Sequence, residues 1–103
     1  MGLSFFEDSL ARRLGVKQGA LVRDVVEGTG ADAAGIQPTF IDENSDIQLG
    51  DVLIEVAGRK IRAATDVARA LDGHKPGEQI SVIVERDGRQ ISMKVELVAA
   101  PQK

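Results

Sequence analysis

Apolar and polar residues alternate most cleanly near the C-terminal end, where Ile91, Met93, Val95 and Leu97 interleave with Gln90, Ser92, Lys94 and Glu96. A period of two marks a strand with one face on a core and the other in water. Ile80, Val82 and Val84 repeat the pattern upstream, and Asp87-Gly88 separates the two runs. Both of those residues tolerate the positive φ of a tight primed turn, so the segment predicts a β-hairpin entered through Lys75-Pro76-Gly77-Glu78. Val52 to Val56 predicts another strand, closed by Ala57-Gly58 and followed by Arg59-Lys60-Ile61. Ala20 to Glu27 predicts a strand with apolar side chains on both faces, Leu21 with Val25 and Val22 with Val26. Leu3 to Phe6 is short and apolar enough for one more.

Helical signals are shorter. Thr65 to Asp72 predicts a helix, with a hydroxyl to cap it, an acid near its positive end and Gly73 to stop it. Positions 64, 68 and 71 form one small and apolar stripe, and Val67 and Leu71 point toward the core. Asp8 to Leu14 predicts a second short helix through the spacing of Leu10 and Leu14. Asp32-Ala33-Ala34 allows one or two turns before Gly35. Gln37 to Asp46 shows no sustained period and predicts an exposed, mobile loop that neither binds calcium nor shapes a site. The tail 99–103 predicts a flexible end. Together these make one α+β domain built on a small, strongly bent antiparallel sheet of about five strands, with two or three short helices.

Composition narrows the chemistry. The chain has 103 residues, 43% hydrophobic and 28% charged, with a net charge of −3. No apolar run approaches the roughly 20 residues that span a bilayer, so direct membrane insertion is not expected. Met1 is followed at once by Gly2-Leu3-Ser4-Phe5-Phe6-Glu7, without the basic start and long apolar stretch of a signal peptide. The absence of cysteine removes disulfides, thiol nucleophiles and thiolate metal ligands. Residues 1–51 carry four basic and nine acidic side chains, and 52–103 carry nine and seven. The basic residues of the second half have no aromatic residues between them and read as a solvated face, so no nucleic-acid partner is expected.

Three motifs look chemical. Gly28-Thr29-Gly30-Ala31-Asp32-Ala33 satisfies a dinucleotide-binding pattern, but Gly35 stops the helix that would have to present its amides to a pyrophosphate. Asp42, Asn44 and Asp46 match the first ligands of a calcium loop, yet Ile47 and Leu53 stand where a Gly and a Glu are required. His74 is the one imidazole, it sits at a helix exit, and no serine occupies a nucleophile elbow. No catalytic residue, cofactor or metal site is expected.

What remains is the first strand and the helix near 64–71. Gly2 lets backbone N–H groups converge, which suits a carboxylate. Met1, Leu3 and Phe5 share one face. If the strand lies at a sheet edge, its free N–H and C=O groups can pair with an incoming chain, beside a helix presenting Ala64, Ala68 and Leu71. The residues alone leave open the alternative that Leu3 and Phe5 are ordinary core.

The ordered series Gly19-Ala20-Leu21-Val22, Gly28-Thr29-Gly30-Ala31-Asp32-Ala33-Ala34-Gly35-Ile36, Leu49-Gly50-Asp51-Val52-Leu53-Ile54, Pro76-Gly77-Glu78 and Val82-Ile83-Val84-Glu85-Arg86-Asp87-Gly88 resembles the PDZ domain of HtrA/Deg trypsin-like serine proteases. The resemblance implies a PDZ domain over residues 1–98, a partly open antiparallel β-sandwich or barrel with the permuted strand order of bacterial and organellar members. It implies a binding module without a catalytic triad, serving a separate protease domain in a bacterial periplasm or cell envelope. The carboxylate of a peptide would meet Met1, Gly2 and Leu3. Its strand and side chains would meet Leu3, Ser4, Phe5, Phe6, Ala64, Ala68 and Leu71. Implied partners are aliphatic C-terminal tails or unfolded segments, the protein's own protease domain and further copies in a homo-oligomer. The alternative role is an assembly element whose groove is occluded in the full-length protease. Ala57 departs from the family, where Asn is commoner, and the chain begins at the carboxylate loop itself.

Overall fold

The computed structural model describes residues 2–97. Met1, Val98 and the tail 99–103, for which a pocket role, a domain boundary and flexibility were expected, lie outside the described residues. In chain order the elements are β1 (Leu3–Phe5), α1 (Asp8–Arg13), β2 (Ala20–Val25), α2 (Gly30–Ala34), β3 (Phe40–Ile41), β4 (Ile47–Gln48), β5 (Val52–Val56), β6 (Arg59–Lys60), α3 (Ala64–Leu71), β7 (Gln79–Arg86) and β8 (Arg89–Glu96). The main sheet is antiparallel in the order β1-β2-β5-β7-β8, with β6 paired to β5 and the sheet not closed into a barrel. The expected α+β class and the β7–β8 hairpin are as the alternation predicts. Asp87 and Gly88 both take positive φ, 52° and 77°, as a primed two-residue turn requires.

The main core gathers Val22, Leu53, Val56, Ile61, Val67, Val82, Val84 and Val95. A second, smaller cluster of Ala11, Val16 and Leu21 lies on the other face of β2, joined by Phe6, Leu14 and Val52. Strand β2 is therefore buried on both faces at its start, but not with the side-chain partition expected. The register against β1 slips between Ser4 and Phe5, so that Arg23 is unmatched. Such a bulge shifts the alternation by one residue. Val22 and Val25, three apart, both join the main core, and Val26, expected inside, is 48% exposed.

Two helices differ in detail from expectation. Helix α1 buries Ala11, while Leu10 is 41% exposed. Helix α3 starts at Ala64 with Ala63 as its N-cap, so Thr65 supplies no capping hydroxyl. Instead Asp66 Oδ2 accepts from the backbone N–H of Arg62 and Ala63 at 3.0 and 3.2 Å. The α2 turn is closed by Gly35 at φ 87°, and Gly30 packs against the Glu96 carbonyl, where a side chain would not fit.

The segment expected to be a structureless loop is a small β3–β4 hairpin, with Phe40 opposite Gln48 and Ile41 opposite Ile47. Its tip is organised by Asp42, whose Oδ1 accepts from Asn44 N at 2.9 Å and Asp46 N at 3.0 Å. Its Oδ2 accepts from Gln48 Nε2 at 2.7 Å. Three donors on one carboxylate replace the alternation that the sequence lacks. Exposure is as expected, since Phe40 and Ile41 are 57% and 69% exposed.

The most deeply placed charge is Asp51, fully buried. Arg86 Nε and Nη2 donate to its two oxygens, both at 2.7 Å, and Gln37 N donates to Oδ2 at 3.0 Å. Arg86 Nη2 also reaches the Gly35 carbonyl at 3.1 Å.

Removing the guanidinium leaves a buried carboxylate without its counter-charge, so Arg86→Ala is expected to cost about 3–5 kcal/mol. Urea denaturation of the variant measures this, and a change under 1 kcal/mol, roughly what an exposed pair contributes, would contradict it. The donors on Asp42, Gln48 Nε2 first, hold its carboxyl below the ordinary 3.8. A depressed folded pKa means that its support of the hairpin is complete above the unfolded value and is lost as pH falls through the folded one. The Asp42 carboxyl should therefore titrate below 3.8 by NMR, and Asp42→Asn should speed amide exchange at Asn44 and Asp46 near neutral pH.

Candidate functional site

Among the described residues strand β1 ends the sheet, paired on one side with β2 and open on the other. The Gly2 carbonyl accepts from Val26 N at 2.7 Å, and Phe6 N donates to the Leu21 carbonyl at 3.1 Å. Alternation along an antiparallel ladder then turns the N–H and C=O of Leu3 and Phe5 to the open side. The side chains of Leu3 and Phe5 are half-buried against the main core, as are those of Ala64 and Leu71 from α3. Ala68, one turn on from Ala64, is exposed. Residues 3, 5, 64 and 71 thus all pack against the one main core.

Gly2 turns the chain into β1 with φ 81°. A side chain there would also fall within 2.5 Å of Thr29, which is 2% exposed and donates Oγ1 to the Val26 carbonyl at 2.7 Å. Glycine is needed twice, for the left-handed backbone and for the close approach. Thr29 is the N-cap of α2, so this helix serves as a backstop for the Gly2 turn. That role was not legible in the glycine pattern of residues 28–33.

Ser4 and Phe6, expected in the strand that receives a peptide, have their side chains on the other face of that segment. The Phe6 side chain joins the second cluster with Ala11, Val16 and Leu21, beneath the Arg23 guanidinium 5.9 Å from its ring centre. Ser4 is exposed and donates to Asp24 at 3.4 Å. Met1 lies outside the described residues. His74 Nδ1 is 2.7 Å from Glu78 Oε2, which holds that carboxyl below its ordinary value. Among the described residues no three His, Asp or Glu side chains converge as metal ligands. The largest hollow described, about 740 Å³, lies on the α1 side of the sheet between Val16, Val52 and Glu85. It is not the groove beside β1, and an edge that accepts a strand is an open shelf that needs no enclosed volume.

A family model described as PDZ domain matches residues 1–97. The chain belongs to the PDZ domain family. This PDZ domain is 33% identical over its full length to Protease Do-like 1, chloroplastic, of Arabidopsis thaliana, and spans 23% of that protein. It is 33% identical over 82% of its length to a "Probable periplasmic serine endoprotease DegP-like" of Ectopseudomonas mendocina, spanning 16% of it. A solved structure titled "HtrA-type protease AlgW with decapeptide" superposes with TM-score 0.70 at 21% identity, over 98% of this chain and 28% of that one. The PDZ domain is thus homologous to the regulatory module of HtrA/Deg-family serine proteases. It spans only 23%, 16% and 28% of the length of these three proteins. Three of the relatives are named as periplasmic and two as chloroplastic.

Gly2→Ala should lower stability by about 1–2 kcal/mol for the left-handed backbone alone, with more from displacing Thr29. Urea melts check this, and an unchanged midpoint would show that the turn relaxes freely.

Proposed function

We propose that this PDZ domain captures aliphatic C-terminal tails of substrates or activators by strand addition, in the service of a separate serine protease domain in the bacterial envelope. The observation that carries the reading is the open side of β1, where the N–H and C=O of Leu3 and Phe5 lie beside the half-buried Leu3, Phe5, Ala64 and Leu71. An extended peptide running antiparallel to β1 places its carboxylate at the Met1-Gly2-Leu3 turn. Its last side chain enters between Leu3, Phe5 and Leu71, with Met1 on the same face. Ser4 belongs to the strand that receives the peptide but faces its other side. Phe6 supports the strand from the second cluster and does not line the groove. The side chain two positions earlier passes Ala64 and Ala68, whose small size leaves it room. No charged residue belongs to this set, which favours an aliphatic end. Full burial of one Val or Leu contributes about 1.5–3 kcal/mol. The relative solved with a decapeptide, and with a tripeptide in a further structure at TM-score 0.65, supports a peptide-binding role.

One observation favours a second reading, an assembly element. Phe40, Ile41, Ile47 and Leu49 are all 45% exposed or more, an apolar hairpin suited to contact with a protease domain or another subunit. The two readings separate on the chemistry of the ligand's end.

A tail ending in Val or Leu should bind the chain measurably, and its amidated form should bind at least tenfold more weakly, as hydrogen bonds to a charged group contribute about 1.5–3 kcal/mol. Ala68→Trp should block the groove while the fold persists, because position 68 is exposed. Isothermal titration with both peptides, and circular dichroism of the variant, give the test. Equal binding of free and amidated tails, or undiminished binding by Ala68→Trp, would defeat the groove reading.

A further inference from the structure

Helix α3, one wall of the groove, is not fully capped by its own sequence. Asp66 serves the amides of Arg62 and Ala63. The next amide, Ala64 N–H, is served from 56 residues away by Asp8 Oδ1 at 3.0 Å, in a partly buried position. Asp8 opens α1, only two residues after β1 ends. One turn further along α1, Arg12 donates Nη2 to the Arg62 carbonyl at 2.8 Å and Nη1 to the Val16 carbonyl at 3.2 Å. Gly19 N donates to the same Arg62 carbonyl at 3.0 Å. Residues i and i+4 lie on one face of a helix, so α1 holds the 62–64 segment by a carboxylate at one point and a guanidinium at another.

The placement of these bonds matters more than their number. The strand with the open edge and the helix that faces it approach each other from distant parts of the sequence, and their separation is the width of the groove. Asp8 is joined to the first by two residues of chain and to the second by a hydrogen bond. It acts at the end of the groove where Ala64 stands, opposite the Gly2 turn. Ala63, extended at φ −146° and ψ 161° with no polar side chain, leaves the start of α3 to Asp66, which accepts from Arg62 and Ala63, while the Ala64 amide goes to Asp8.

We infer that Asp8, braced by Arg12, is a positioning residue that fixes the distance between β1 and the start of α3, and so selects the size of the ligand side chain two positions before the carboxylate. This rests on the groove reading above. With the bond intact, the room left beside Ala64 and Ala68 is limited to a side chain of modest size, and the bulkiest are excluded. With the bond cut, the first turn of α3 can draw away, and the discrimination is lost although the contacts at Leu71 and Gly2 remain.

The test uses two free-carboxylate tails with the same aliphatic end, differing only two positions earlier, Ala in one and Trp in the other. The parent should favour the Ala tail by about tenfold, the low end of what a shaped apolar pocket delivers. Asp8→Ala should reduce that ratio to about threefold or less, the loss of a cap letting the helix end move. Asp8→Asn, which keeps a carbonyl oxygen for the Ala64 amide, should retain the parent ratio. If Asp8→Ala does not fold, Ala64→Pro deletes the donor at a first helical position that accepts proline after an extended residue, and it should lower the ratio likewise. A purely structural role would lower the melting temperature and weaken both tails equally, leaving the ratio unchanged, and that result overturns the inference. So does an Asp8→Asn variant with the ratio of Asp8→Ala. Failure of the parent to bind either tail is a different result, which removes the groove reading and this inference with it.

Discussion

Four separate parts of the chain meet at one buried carboxylate. Asp51 takes both nitrogens of the Arg86 fork and the Gln37 amide on its side chain. Its own N–H donates to the Gln37 carbonyl, and its carbonyl accepts from Val22 N, both at 2.9 Å. Arg86 also holds the Gly35 carbonyl at the end of α2. The start of β5, the end of β7, the exit of α2 and the middle of β2 are thereby fixed against each other. Gly50 is needed for the same junction, because a side chain there would fall within about 2.5 Å of the backbone of residues 37–39. A buried ion pair adds little net stability over an apolar replacement, since desolvation offsets most of the attraction. Its effect here is on register: Arg86 is only 28% exposed, and a one-residue slip of β7 against β5 would turn it to the other face, away from Asp51.

That junction was only half legible in the sequence. Gly50-Asp51 stood in the ordered series that resembles the family, but nothing local shows that Asp51 would be buried or that Arg86, 35 residues on, would answer it. The β7–β8 hairpin was legible because everything that specifies it, the alternation and the Asp87-Gly88 turn, lies within a single run. The bulge at Arg23 was not, because it arises from pairing with β1 and no residue within β2 marks it. It matters for function all the same. By moving Val25 to the face of Val22, it supplies core beneath Leu3 and Phe5 and leaves Phe6 to the opposite cluster. The capping of α3 follows the same logic, since a Thr at position 65 is a plausible cap by composition and fails only because the helix begins one residue earlier.

The groove illustrates a further limit. Leu3 and Phe5 could be read as a shared face, and Ala64, Ala68 and Leu71 as a helical stripe, yet no pattern within either segment says that they meet. Only the resemblance joined them in the sequence. Leu3, Phe5, Ala64 and Leu71 each pack against the main core; Thr29 lies behind Gly2, and Asp8 accepts from the Ala64 amide.

These two ties divide the proposed recognition into parts with different information content. Hydrogen bonds between an added strand and the edge of β1 are made by backbone alone, so they contribute attraction, about 0.5–1.5 kcal/mol net each, without distinguishing one sequence from another. Selectivity must then come from the chain end and from the walls. The Gly2 turn, backed by a buried threonine, can distinguish a terminal carboxylate from a continuing chain because its position does not adapt. The wall at Ala64 can distinguish side chains only as far as α3 is kept from retreating, and there the Ala64 amide is held by Asp8, the helix's own Asp66 being taken by Arg62 and Ala63. A groove on a three-residue edge strand would then draw its specificity from residues outside it.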